Sequence, residues 1–116
     1  MIKHTITQNT NGIKLEANND NKIVSIDCNA AQEILVLTTQ QASINLNSKD
    51  GTISLITNDV KILLDKSGKS ITLDNGSSNI NIEGSDVSIQ ASNIDIKGSN
   101  INIQGQVNVK GNLSVE

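Results

Sequence analysis

Pairs of aliphatic residues separated by a single polar residue recur along most of the chain. Two residues that lie two positions apart point to the same side of an extended strand. The polar breaks between pairs are too short to hold a helix, so the pattern predicts a series of short β-strands with one aliphatic face. The thirteen pairs are Ile13/Leu15, Val24/Ile26, Leu35/Leu37, Ile44/Leu46, Ile53/Leu55, Ile62/Leu64, Ile71/Leu73, Ile80/Ile82, Val87/Ile89, Ile94/Ile96, Ile101/Ile103, Val107/Val109 and Leu113/Val115.

The distance between successive pairs shrinks along the chain, from eleven residues through nine and seven to six. In a β-solenoid the number of residues per step sets the perimeter of the cross-section, so this pattern predicts a needle that tapers toward the C-terminus. A coiled coil is excluded because its apolar residues lie three and four apart, whereas here they mostly lie two apart. All 8 glycines lie in the breaks, where their tolerance of positive φ suits tight corners.

The composition favours a core that is shared between chains. The 116 residues include no Phe, Tyr, Trp or Pro, and aromatic side chains, which bury roughly 150–250 Å² each, normally supply much of the core of a compact domain. A left-handed hexapeptide helix needs a constant step of six residues, and a right-handed solenoid needs coils of about 20 or more. Neither pattern is present. We therefore expect an all-β fold, an intertwined homotrimeric triple-stranded β-helix in which each chain moves to the next face at every corner.

This fold divides the chain into functional parts. We expect residues 1–12 to form an N-terminal lead-in and possible docking segment, and residues 13–116 to form the shaft and tip of the needle. Thirteen strands spaced ~4.8 Å apart give a shaft on the order of 60 Å long. The predicted trimer core is Ile44, Leu46, Ile53, Leu55, Ile62, Leu64, Ile71, Leu73, Ile80, Ile82, Val87, Ile89, Ile94, Ile96, Ile101 and Ile103, and the predicted tip or cap contacts are Val107, Val109, Gly111, Leu113 and Val115.

The reactive residues give little sign of chemistry. His4 is the only histidine and the only candidate metal ligand, through three copies meeting on a trimer axis; an exposed or merely packed His4 is the simpler interpretation. Cys28 shares the inward side with Ile26 and is interpreted as a small buried hydrophobe. One histidine cannot build a Ser/His/Asp arrangement, and the segments 48–52 and 65–70 lack the spacing of a phosphate loop, so both are interpreted as corners. We expect no enzyme, no catalytic residue and no cofactor.

The charge and the N-terminus narrow the choice of partners. The net charge of −3 and the absence of aromatic residues argue against nucleic acid, because phosphate is repelled and bases find no stacking surface. The opening residues MIKHTITQ lack the apolar stretch of a Sec signal peptide. An exported protein with this N-terminus would need another route.

The run KILLDKSGKSITLDNGSSNINIEGSDVSIQASNIDIKGSNINIQGQVNVKG resembles the C-terminal β-helix of VgrG proteins, the spikes of type VI secretion systems, and equally the needle of contractile-phage central spike proteins. The resemblance covers roughly Gly12 to the end of the chain. The N-terminal hub and oligosaccharide-binding-like domain of ordinary VgrG chains are missing. The sequence is therefore similar to the short, needle-only VgrG of Francisella-type systems, or is a fragment.

This resemblance implies a function and a set of partners. The implied role is a homotrimeric spike, made in the cytoplasm and exported by a contractile injection apparatus, that pierces a target membrane. A PAAR-type cap or effector would bind the narrow C-terminal end, and a secretion tube or phage baseplate would meet the N-terminal end. The alternative is a trimeric β-helical stem of a phage tail fibre or adhesin, which should end in a receptor-binding head.

Overall fold

The computed structural model describes residues 1–116, which form β-strands and turns without any helix. Most strands alternate aliphatic with polar residues, as expected for a pleated sheet with one apolar side. No helix in the protein has the length and hydrophobicity that a membrane crossing requires. The strands are β1 (Ile2–Gln8), β2 (Gly12–Asn19), β3 (Lys22–Asn29), β4 (Ile34–Thr38), β5 (Ala42–Asn47), β6 (Thr52–Thr57), β7 (Val60–Asp65), β8 (Ser70–Asp74), β9 (Asn79–Glu83) and β10 (Asp86–Gln90).

The ten strands form one open antiparallel sheet in chain order, each paired with the next. The all-β prediction is confirmed. Within residues 2–90, however, the predicted path is wrong, because the chain does not move to a new face at each break but turns back alongside the preceding strand. Strands shorten from 7 or 8 residues in β1 to β3 to 5 in β8 to β10. A trimeric β-helix requires further copies and stays a prediction.

The sheet begins one strand earlier than the thirteen pairs indicate. β1 lies inside the predicted lead-in and pairs with β2 along its whole length, with Ile2 opposite Asn19 and Gln8 opposite Ile13. The alternation of Ile2 and Ile6 around His4 was the sequence signal for this strand. Residues 2–8 are therefore part of the same sheet, and whether they also dock on another protein stays a prediction.

Side-chain oxygens at or near the strand ends hold the turns. The Oδ1 atoms of Asn9, Asn47, Asp65 and Asn75 each accept a hydrogen bond from a backbone N–H two or three residues further on. Asn and Asp favour turns because their short polar side chains make such local bonds, which compete with regular structure. The many Asn and Asp residues thus have a structural task in ending one strand and starting the next.

Positive backbone φ occurs where the two-residue turns require it. Asp20 and Asn21, between β2 and β3, have φ of 46° and 72°, and Gly84, between β9 and β10, has φ of 60°. Gly12 is needed for a different reason, since its φ is not positive. It begins β2 against the backbone of β3, and a Cβ added there would overlap the carbonyl oxygen of Cys28.

The turns on one edge of the sheet are bonded to one another. Backbone N–H groups of Ala31, Ser48, Lys66 and Gly84 donate to the carbonyl oxygens of Asn11, Glu33, Gly51 and Lys69, each in the preceding turn or directly beside it. We call this edge the seam; it comprises the turns 9–11, 30–33, 48–51, 66–69 and 84–85. On the opposite edge, the turns 39–41 and 75–78 close with backbone hydrogen bonds within themselves. One side-chain hydrogen bond joins neighbouring turns there, donated by Gln40 Nε2 to the Asn21 carbonyl oxygen. The sheet is therefore tied more firmly along one side.

The last part of the chain, residues 91–116, belongs to no strand and makes no backbone hydrogen bond within the chain. We call it the C-terminal segment. The whole molecule extends 64 Å along its longest axis and has a radius of gyration of 20.9 Å. A compact domain of this length would have a radius of gyration of about 13 Å. The chain is a long, thin body and not a closed globule.

Candidate functional site

One side of the sheet carries two continuous rows of hydrophobic side chains, which we call the apolar face. Residues in each row are directly opposite one another on neighbouring strands, where side chains lie close enough to contact. The first row is Ile6, Leu15, Ile26, Leu37, Ile44, Leu55, Ile62, Leu73, Ile80 and Ile89, and the second is Ile13, Cys28, Leu35, Leu46, Ile53, Leu64, Ile71, Ile82 and Val87.

The apolar face has no cover within the chain. None of the 116 residues is buried, and side chains in the middle of the face, such as Leu46 and Leu55, remain 38% and 41% exposed. The accessible surface is 9815 Å², whereas a compact monomer of 12.3 kDa exposes about 6,100 Å². Monomeric proteins rarely expose apolar patches larger than a few hundred Å². The size and continuity of this face are typical of a surface that binds another protein.

The opposite side of the sheet is mainly polar. Along its middle row Asn45 lies opposite Ser54, and Thr72 lies opposite Asn81. The Thr72 hydroxyl donates a hydrogen bond of 3.0 Å to the Asn81 side-chain oxygen. Leu63 interrupts this row between Ser54 and Thr72. Because successive side chains on a strand point to opposite faces, the prediction that Ile62 and Leu64 share one face could have placed Leu63 on the other.

The sheet brings some of the predicted core residues together and leaves others apart. Those from Ile44 to Ile89 all lie in the two rows of the apolar face. The predicted core residues Ile94, Ile96, Ile101 and Ile103 lie in the C-terminal segment, as do the predicted tip contacts Val107, Val109, Gly111, Leu113 and Val115, and none of them belongs to a strand. The assignment of either group to a trimer core or a cap contact stays a prediction. Ile6, at the head of the first row, was missed because the pairs were counted only from Ile13.

The two residues with the most reactive side chains also lie on the apolar side. His4 is exposed, opposite Ala17 and two residues from Ile6 on the same face. Cys28 is a free, exposed cysteine between Ile13 and Leu35, on the side of Ile26 as predicted. No three His, Cys, Asp or Glu side chains lie close enough within the chain to hold a metal ion. The largest depression, beside Cys28, is an open part of the apolar face and its edge.

The segments 48–52 and 65–70 contain turns, as predicted, at Ser48–Gly51 and Lys66–Lys69. In the second, the Ser67 hydroxyl donates to Asp65 Oδ1 at 2.8 Å, and the N–H groups of Ser67 and Gly68 donate to the same oxygen. These hydrogen bonds hold the pKa of Asp65 below its ordinary value of 3.8, because they stabilise the ionised carboxylate. The hydrogen bond from the Ser67 hydroxyl has the largest effect. The charge of Asp65 thus maintains a turn of the seam.

Comparison with protein-family models and with curated proteins finds no match. Among solved structures, a chain from the "Structure of PdpA-VgrG Complex, Lidless" is similar over 100% of this protein and 98% of that chain. The TM-score is 0.65 and the sequence identity is 21%. The similarity thus extends over the sheet and the C-terminal segment alike. This protein therefore shares its fold with a chain of the PdpA–VgrG complex.

Proposed function

We propose that this protein is the needle subunit of a contractile injection system, a VgrG-like component of a type VI secretion machine. Two independent observations support the proposal. The tapering series of aliphatic pairs resembles VgrG needles, and the fold matches a chain of a PdpA–VgrG complex over nearly the full length of both chains. In this proposal the residues have a mechanical role and no catalytic one.

The uncovered apolar face is the observation that carries this proposal. The chain exposes about 3,700 Å² more surface than a compact monomer of its mass. A partner in a standard protein–protein interface buries roughly 800 Å², so this excess is large enough for contacts with more than one neighbour. Two further copies would bring identical aliphatic rows, and three is the number of chains in the needles that the sequence resembles.

The sheet is suited to bear load along the needle. Consecutive strands are stacked by backbone hydrogen bonds from β1 to β10, so these bonds run along the stacking direction. With three apolar faces packed inward, polar side chains such as Asn45, Thr72 and Asn81 face solvent or membrane. The needle would then pass through a lipid defect without lodging in it. The N-terminal strands would face the secretion tube, and the exposed Leu113 and Val115 would contact a PAAR-type cap or effector.

The native mass of the full chain tests the assembly. We expect a species of three times 12.3 kDa in native mass spectrometry and light scattering, and resistance to SDS without heating. A monomer that stays soluble with its apolar face uncovered would overturn the proposal. So would a dimer, because two sheets could cover each other face to face and would not form a three-sided needle.

Capture of a tip partner tests the piercing role separately from the assembly. We expect the purified trimer to retain a PAAR-type cap protein, and the Leu113→Asp variant to lose it, because a charge would then stand in the apolar contact. Asn112→Asp is the matched control and should retain the cap. Binding of receptor glycans without any cap binding would favour the fibre or adhesin stem instead.

A further inference from the structure

We propose that Asn75 is a site of spontaneous modification, at which the side-chain amide is lost as ammonia and aspartate or isoaspartate takes its place. The reaction favours Asn–Gly dipeptides, because glycine has no Cβ to crowd the approach of its backbone nitrogen to the asparagine side chain. The chain holds two such dipeptides, Asn11–Gly12 and Asn75–Gly76. Only the second has the neighbours that the reaction needs. Because the reaction takes place within one chain, it does not depend on the assembly proposed above.

The nucleophile of the reaction is the backbone nitrogen of Gly76, which must lose its proton as it attacks. This N–H donates a hydrogen bond of 2.7 Å to Oδ1 of Asp74, the last residue of β8. A carboxylate at this distance is within the reach required of a general base. Gly76 lies in the turn between β8 and β9 with a φ of 88°. Both Asn75 and Gly76 are exposed, so water can reach the product.

The electrophile is the side-chain amide carbon of Asn75, whose oxygen gains negative charge when the new bond forms. Backbone N–H groups of Ser77 and Ser78 donate to this oxygen at 3.0 Å and 2.8 Å. Donors at roughly 2.7–3.1 Å from a developing oxyanion stabilise the tetrahedral intermediates of acyl transfer. The stretch 74–78 therefore supplies an acceptor for the proton and two donors for the oxyanion.

The chemistry proceeds in two steps. In the first, the Gly76 nitrogen bonds to the Asn75 side-chain carbon, its proton passes to Asp74, and Asp74 gives that proton to the departing amide nitrogen, which leaves as ammonia. A succinimide ring remains and the Asp74 carboxylate is regenerated. In the second, a solvent water molecule adds to either ring carbonyl and breaks the bond from that carbonyl to the ring nitrogen. Opening at one carbonyl leaves aspartate, and opening at the other leaves isoaspartate, whose backbone runs through the side-chain carbon.

The first dipeptide is an internal comparison, because it has the same two residues in different surroundings. The Gly12 N–H donates to Oδ1 of Asn9, an amide oxygen that is a far weaker base than a carboxylate. No backbone N–H donates to the side-chain oxygen of Asn11. The Ala31 N–H holds the Asn11 carbonyl oxygen in the seam, and Gly12 is paired with β3. Asn11 should therefore react more slowly than Asn75, although both are exposed.

Conversion of Asn75 would change the edge of the sheet that lacks the seam. It adds a carboxylate beside Asp74 and near Asp59, since a Cβ added at Gly76 would lie 3.5 Å from the Asp59 Cβ. Isoaspartate also adds a carbon to the backbone of the turn and displaces the oxygen to which residues 77 and 78 donate. We therefore expect the hairpin of β8 and β9 to loosen as the protein ages, while the seam keeps its bonds.

Ageing of the unmodified full chain tests the proposal. The protein is incubated in neutral buffer made with heavy-oxygen water, and peptide mapping by mass spectrometry follows the amide-to-acid conversion at residues 11 and 75. We expect residue 75 to convert about tenfold or more faster than residue 11, because hydrogen bonds to a developing charge lower the barrier by at least that factor. In concentrated urea the turn is lost and the two rates should converge. Equal rates in the folded protein, or the same ratio in urea, would overturn the proposal.

Two variants of the full chain separate the role of Asp74 from that of nearby charge. Asp74→Asn keeps an oxygen for the Gly76 N–H but removes the base, so conversion at residue 75 should slow severalfold while residue 11 is unchanged. Asp59→Asn removes the same charge beside the turn and should convert at the parent rate. Tandem mass spectrometry distinguishes residue 75 from the introduced asparagine. An Asp74→Asn chain that converts as fast as the parent would contradict the role of Asp74, and the comparison within the unmodified chain decides the proposal even if this variant fails to fold.

Discussion

Residues 2–90 and residues 91–116 contain the same motif, an aliphatic pair around one polar residue, and adopt different structures. In the first region every pair lies in a strand that bonds to its neighbour in the same chain. In the second, no pair bonds to any other part of the chain. The motif therefore determines which side chains share a face, but it does not determine which other segment the backbone of each pair bonds to.

The residues of the breaks help to explain where the sheet ends. β9 and β10 are joined by Gly84 and Ser85, with Gly84 at a φ of 60°. The next break has the same length, but its central residues are Ala91 and Ser92. A two-residue hairpin turn needs positive φ, which Ala adopts only at a cost because its Cβ crowds the backbone. The hairpin series stops at this break.

The largest expected effect is that of a charge placed on the apolar face. In the proposed trimer, Leu55→Asp would introduce three carboxylates into the shared core and remove three leucines, each of which contributes about 1.5–3 kcal/mol when buried. We expect native mass spectrometry to show monomer or aggregate instead of trimer. Ser54→Asp places the same charge on the polar side of the same strand and should leave the trimer intact. A trimeric Leu55→Asp variant would show that this face is not the interface.

A smaller effect is expected from the matching change in the C-terminal segment. In the proposed trimer, Ile101→Asp should leave the sheets associated, so the native mass should remain that of a trimer, while resistance to SDS is lost because the segment frays. Asn102→Asp is the control and should keep both properties. Complete dissociation of Ile101→Asp, as for Leu55→Asp, would mean that the two regions do not differ in how they hold the subunits.

A still smaller effect is expected within the sheet from Gly12→Ala. The new Cβ would overlap the backbone carbonyl of Cys28, so β2 must shift away from β3, at a cost of about 1–3 kcal/mol per chain. Thermal unfolding of the assembled protein measures the loss. Gly68→Ala is the control, because its Cβ would meet only side-chain atoms at ordinary distances of 3.4 Å or more. Equal melting temperatures for the two variants would contradict the close approach.

The smallest effect concerns the turn at Asp65. Ser67→Ala removes the hydroxyl that contributes most to lowering the pKa of Asp65, so this pKa should rise toward 3.8. A carboxylate with a lowered pKa stabilises the fold above its unfolded pKa, and the contribution is lost as the pH falls through the folded pKa. The variant should therefore be slightly less stable than the parent near neutral pH, and its stability should fall less than that of the parent as the pH is lowered. An NMR titration of the Asp65 carboxyl carbon measures the shift, and Ser48→Ala in the neighbouring turn should not move it.

The sequence was sufficient to predict an all-β fold and the side chains that share a face. The period of two in pairs such as Ile53/Leu55 is a local property, and the register of the sheet follows it. Whether the chain returns or moves on at each break could not be predicted. A break of four residues, such as Ser48–Gly51, fits a hairpin turn as well as a corner to a new face.

The apolar face was predictable only in part, because a local pattern does not show the path of the chain. Ile6 belongs to the first row, but one isolated strand at the start of a chain gives a weak periodic signal. Leu63 follows Ile62 in an unbroken aliphatic run, and its position on the polar side becomes clear only once the strand is known. The identity of a partner for this face depends on the surface of another molecule, and no local pattern in this sequence encodes that surface.

The seam gives the two edges of the sheet different tolerance to change. A peptide inserted between Asn58 and Asp59, on the opposite edge, lengthens a turn that makes no backbone hydrogen bond to a neighbouring turn. The same peptide between Lys49 and Asp50 would pull apart residues whose turn is bonded to those before and after it. A passenger sequence grafted onto this sheet should therefore be tolerated best at the looser margin, where the added loop leaves the stacked spine undisturbed.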